Sequence, residues 1–127
     1  MQYTVILKNR SYDLPTKTIK IAELLDETAN VDNIKGLSIK ERYQRVYESV
    51  KTLIGKENAK EVFEGEDINK IDLSEVTIAF RSIFDAYNKP LEDYEQKKRT
   101  AMFNELNISE MSKLVDMAKV AKEMTNA

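Results

Sequence analysis

Residues 3–7, Tyr-Thr-Val-Ile-Leu, are β-branched and aromatic, and Tyr12-Asp13-Leu14 alternates apolar and polar positions toward Pro15. Both patterns favour extended chain. Between them Lys8-Asn9-Arg10-Ser11 offers a turn in which Asn9 suits positive φ, so the pattern predicts an N-terminal β-hairpin. After Pro15 the apolar period changes from two to about 3.6, the repeat of an amphipathic helix. Ile21, Leu24, Leu25 and Thr28 make a first short stripe, which ends in a polar Asn30-Val31-Asp32-Asn33 loop closed by Gly36.

Ser38 followed by Glu41 reads as a capping box, in which hydroxyl and carboxylate each satisfy a free backbone donor. The helix it opens carries Tyr43, Val46, Tyr47, Val50, Leu53 and Ile54 on one face and stops at Gly55. A short helix through Ala59, Val62 and Phe63 follows, with Gly65 expected to take the left-handed conformation past its end. Ile68 and Ile71 are expected to tuck inward from the next loop. Asp72 with Glu75 repeats the capping logic ahead of a helix bearing Val76, Phe80, Ile83, Phe84 and Tyr87. The two aromatic helices should pack together and form the core.

Pro90 is expected to begin a second long helical region, since proline suits a first helical turn. From Leu91 to Leu106 the stripe is thin, being broken by Gln96-Lys97-Lys98-Arg99. Asn107 with Glu110 caps a separate final helix, or the helix continues; the pattern leaves both open. Met111, Leu114, Val115 and Ala118 form one stripe there, and Met117, Val120 and Met124 another. The expected fold is mainly α (α+β), an N-terminal hairpin followed by about five helices in a small bundle. At 127 residues the chain suits one domain. Residues 1–90 make its hairpin and helical core, and residues 91–127 a C-terminal helical region serving as an interaction or oligomerisation arm.

The chain contains no histidine and no cysteine. The commonest acid–base group near neutral pH and the most reactive nucleophile are thus both missing, which removes most metal sites and most catalytic triads. The cluster Glu64-Gly65-Glu66-Asp67 does not keep calcium-loop spacing, and its acids read as solvated loop and cap residues. No serine lies in G-x-S-x-G or S-x-x-K, and no glycine-rich phosphate loop exists. The expectation is no enzyme, no metal and no cofactor.

A net charge of −2 lacks the basic excess of a nucleic-acid binder, and Lys97-Lys98-Arg99 is flanked by Glu92, Asp93 and Glu95. No apolar run approaches a membrane span. Neither nucleic acid nor membrane is expected as a partner, and the cytoplasm is the default location. All but one of the five methionines fall between positions 102 and 124. Methionine fills irregular gaps and suits adaptable surfaces, so these residues either cover the chain's own core or meet another chain.

The hairpin, the run IGKENAKEVFEG, the Asp72-Leu73 helix start and the run AFRSIFDAYNKP together resemble the tail assembly chaperones of long-tailed bacteriophages and prophages of low-GC Gram-positive bacteria. The resemblance covers roughly residues 1–90. It implies a small, helical, self-associating, non-enzymatic protein of the bacterial host cytoplasm. Its partners would be the tape-measure protein, kept soluble, and the tail-tube protein. Met111, Leu114, Met117, Val120 and Met124 are the candidate partner-binding residues. The rival expectation is a small phage-encoded regulatory or adaptor protein linked to DNA.

Overall fold

The computed structural model describes residues 1–105. Strands β1 (Tyr3–Leu7) and β2 (Arg10–Leu14) pair antiparallel, with Val5 opposite Tyr12 and Leu7 opposite Arg10. That register leaves Lys8 and Asn9 as a two-residue turn, and both have positive φ, 49° and 66°. This is the primed turn geometry whose twist matches that of the flanking strands. Asn9 behaves as its type suggests, and Lys8 accepts the same conformation because the register demands it. Val5, Leu7, Tyr12 and Leu14 are buried, while Ile6 stays 71% exposed on the other side of the pleat.

Four α-helices and one 3₁₀ turn follow among the described residues: α1 (Ile19–Ala29), the turn Val31–Asn33, α2 (Ile39–Ile54), α3 (Lys56–Phe63) and α4 (Leu73–Glu105). At the start of α1 the Thr18 hydroxyl accepts from the Ile21 N–H at 3.4 Å. The Asn30–Asn33 segment is helical in part and buries Val31, so it contributes to the core as well as connecting elements. Ser38 Oγ accepts from the Glu41 N–H at 3.1 Å, as the capping pattern predicts. Asp72 caps α4 one residue earlier, accepting from the Ser74 N–H at 2.8 Å. Glu75 instead reaches Lys8 Nζ in the hairpin turn, at 3.3 Å.

Gly55 serves two helices at once. With φ 94° and ψ 150° it occupies backbone space that side-chain-bearing residues avoid. Its N–H donates to Lys51 O and its carbonyl accepts from the Ala59 N–H, both at 2.9 Å. Hence α2 passes into α3 across a single residue. The end of α3 departs from expectation: Glu64, not Gly65, takes the left-handed conformation (φ 54°, ψ 34°). Val62 and Phe63 are buried, which sets the last turn one residue early, and the Gly65 N–H then closes on Lys60 O at 3.1 Å.

Pro90 also departs from expectation, because it lies inside α4 and opens no new helix. An interior proline loses one backbone hydrogen bond and costs about 3 kcal/mol. The glycine-free run from Leu91 to Arg99, rich in good helix formers, carries the helix through it. Among the described residues the α-helices number four, against about five expected for the whole chain. The stretch from Asn107 onward, where a further helix was expected, lies outside the described residues.

The chain divides into two compact units, Met1–Lys89 and Pro90–Ala127. The core of the first unit is built from one face of the hairpin and the stripes of α1 to α4. Tyr47, Val50, Leu53 and Ile54 of α2 are buried, as are Val76, Phe80, Ile83 and Tyr87 of α4. Ile68 and Ile71 are buried too, as the sequence suggests. Tyr87 fastens hairpin to helix: its hydroxyl donates to Pro15 O at 2.8 Å and its ring lies 5.0 Å from that of Tyr3. Burial, with Tyr3 close by, pushes the Tyr87 hydroxyl from the ordinary 10.0 up to about 12. In the second unit the described part of α4 leaves Leu91, Tyr94, Met102 and Phe103 exposed. No described helix is long and apolar enough to cross a membrane.

Candidate functional site

The early turns of α2 project Arg42, Tyr43 and Val46 beside one another, because residues three and four apart share a helix face. The middle of α4 brings Phe80, Arg81, Phe84 and Asp85 toward the same space, and the end of α1 with its 3₁₀ turn adds Val31 and Asp32. These side chains line a groove of about 390 Å³ within the first unit. Phe80 and Phe84 meet with ring centres 6.2 Å apart. Phe80 is buried, and Tyr43, Val46 and Phe84 are half-buried. Asp32, Arg81 and Asp85 are exposed along the rim. An aromatic floor under a charged rim suits a partner with apolar and ionic groups on one face.

Arg42 is the unusual member. Its Nη1 approaches Asp32 Oδ1 at 3.6 Å, a long ion pair. Its Nε is buried and has no hydrogen-bond acceptor among the described residues. A donor in that condition forfeits its hydration without replacing it, so native structures hold few of them.

A second hollow, about 320 Å³, lies between α1 and α2 over Thr28 and Ser49. The two buried hydroxyl oxygens stand 2.6 Å apart. Thr28 Oγ1 also lies 2.7 Å from Leu24 O, and Ser49 Oγ 3.0 Å from Arg45 O. Two hydroxyl protons serve three approaches, so one hydroxyl donates to its own helix while accepting from the other. The arrangement joins two helices, and neither hydroxyl contacts a basic group.

Asp67, in the 64–67 cluster, is spent on local structure. Asp67 Oδ1 accepts from both the backbone N–H and the side-chain amide of Asn69, each at 3.0 Å. The backbone bond from Asn69, chiefly, holds the Asp67 carboxyl below its ordinary value. Tyr47 is shifted upward by burial and then by Glu66 and Glu48, and its ring packs on Phe63 at 5.6 Å. Both residues act in the fold, away from the groove. Among the described residues no group of three or more carboxylates could hold a metal ion.

The residues assigned from sequence to partner binding, Met111, Leu114, Met117, Val120 and Met124, lie outside the described residues. The groove was not anticipated. A faint signal existed: Arg42 sits four residues before Val46, and Arg81 three before Phe84, so each cation intrudes on the flank of an apolar stripe. Comparison with protein-family models, curated proteins and solved structures finds no match to this chain.

Proposed function

We propose that this chain is a tail assembly chaperone, a non-enzymatic binding protein that shields the amphipathic helices of a tape-measure protein and helps bring tail-tube subunits to it. The carrying observation is the set of exposed apolar side chains on the later part of α4: Leu91, Tyr94, Met102 and Phe103. A solvated helix gains nothing from such side chains, whereas a protein that covers another chain's greasy helices needs apolar surface. Further support comes from the aromatic groove and from the sequence runs that resemble this chaperone family. In this reading Met111, Leu114, Met117, Val120 and Met124 add adaptable surface or a contact between copies.

The test is co-expression with the tape-measure protein of a long-tailed phage, taken from any very long helical open reading frame found beside the gene. The chaperone should co-purify with it and raise its soluble fraction. Replacing Met117, Val120 and Met124 together by glutamine should weaken that association while the thermal midpoint holds. No co-purification, or a triple variant that simply unfolds, counts against the proposal. A DNA-linked role is the competing reading, favoured by the exposed Lys97-Lys98-Arg99 run. It requires salt-sensitive retardation of DNA in a gel, which the chaperone reading does not expect.

A further inference from the structure

We infer that the later part of α4 is a self-complementary seam on which a second copy of this chain packs antiparallel, about a two-fold axis near Gln96 and Lys97. The inference goes beyond the chaperone proposal and does not depend on it. Leu91, Glu95, Lys98 and Met102 follow one another at spacings of four, three and four, the repeat that lines up one side of a helix for pairing. All four side chains are exposed on α4. The line therefore runs apolar, acidic, basic, apolar over about 17 Å of helix.

That order is complementary to its own reverse. In a two-fold interface each contact occurs twice with the roles exchanged. With Leu91 set against Met102 of the second copy, Glu95 meets Lys98 of that copy, and the reciprocal pairs follow. On one flank Glu92 comes opposite Arg99, and on the other Tyr94 lies beside Ala101. Every layer then joins apolar to apolar or acid to base. A parallel pair would instead set Glu95 against Glu95 and Lys98 against Lys98, so the charges select the orientation.

The charges are open to such a partner. Glu92, Glu95, Lys98 and Arg99 are exposed and form no ion pair among the described residues, although Glu95 and Arg99 stand one turn apart. A foreign helix would have to carry the reversed charge order by design, whereas this chain already carries it. Phe103, one residue on from Met102 and so about 100° round the helix, stays outside the seam and open to another chain. The seam is about two heptads long, so the dimer builds up only in the upper micromolar range, and dilute samples hold the monomer.

Sedimentation equilibrium of the full chain, carried into that range, should show a monomer–dimer equilibrium. Glu95→Lys and Lys98→Glu each create two like-charge layers and should each weaken self-association about a hundredfold, with circular dichroism as in the parent. Mixing the two variants in equal amounts restores both layers and should return the dimer, as should the double variant E95K/K98E. A parent that stays monomeric throughout overturns the inference, whether residues beyond 105 or nothing covers the line. Self-association that survives both single reversals assigns it to another surface and overturns it as well. So does a mixture that remains monomeric, or a single variant that unfolds, which would place these side chains in the fold. The chaperone proposal is judged separately, by retention of a tape-measure fragment.

Discussion

Tyr87 is 1% exposed and Tyr94, seven residues further along α4, is 62% exposed. The first anchors its ring against Tyr3 and its hydroxyl on Pro15 O. The second belongs to a stretch whose larger apolar side chains, Leu91, Met102 and Phe103 among them, all face solvent. One helix thus supplies both sealed core residues and exposed apolar side chains. Apolar content alone does not separate the two; what does is whether a second stripe stands opposite. In residues 1–89 the stripes of α1, α2 and α3 and the inner face of the hairpin meet that of α4.

The sharpest way to break that contrast is to truncate one large side chain in each region. Ile83 is fully buried, and Ile83→Ala should lower the unfolding free energy by about 2–5 kcal/mol, through lost burial plus the cavity left behind. Leu91→Ala should change it by no more than about 0.5 kcal/mol. Urea denaturation followed by circular dichroism reads both. A Leu91 variant as unstable as the Ile83 variant would mean that Leu91 is part of the core after all.

The two tyrosines give a finer comparison. Tyr87→Phe removes a hydrogen bond to Pro15 O and should cost about 1 kcal/mol, while Tyr94→Phe should cost nothing measurable. They should differ in pH dependence too. The folded state holds the Tyr87 proton more tightly than the unfolded chain, its pKa being raised from 10.0 to about 12. The stability this contributes is complete below pH 10 and is lost as pH climbs from there through about 12. Tyr87→Phe should flatten part of that alkaline decline, with Tyr47, also shifted upward, accounting for some of the remainder. Urea midpoints between pH 8 and 11.5 decide it, and a Tyr94→Phe profile that changes as much as that of Tyr87→Phe would remove the distinction.

The sealed region was readable from sequence because its signals are local and agree with one another. Alternation at residues 3–7, the Ser38 cap, and the stripes from Tyr43 to Ile54 and from Val76 to Tyr87 each name an element and the face it buries. The misreadings came where two local rules compete. Proline is common at a first helical turn, and nothing around Pro90 shows by pattern alone that the helix already exists. Glycine is the usual left-handed residue, yet the burial of Phe63 sets the end of α3 and hands that conformation to Glu64. The groove was harder still. It depends on Arg42, Phe84 and Asp32 from three separate segments, and no spacing in one segment encodes their approach.

The smallest expected effect tests the comparison at the level of the backbone, by placing glycine once in each region. Glu64 holds φ 54°, where a side chain costs about 1–2 kcal/mol and glycine costs none. Glu64→Gly should therefore stabilise the fold, by about 0.5–1 kcal/mol once the extra freedom of the unfolded chain is counted. Lys98 lies exposed within the helical stretch after Pro90, where glycine disfavours helix by about 0.5–1 kcal/mol. Lys98→Gly should lower the helical signal at 222 nm while leaving the cooperative unfolding midpoint where it was, because no core residue leans on that position. The same substitution then has opposite signs and reaches different observables. If Lys98→Gly instead shifts the global midpoint as Ile83→Ala does, the stretch beyond Pro90 folds as one cooperative unit with the core, and the separation of roles within α4 fails.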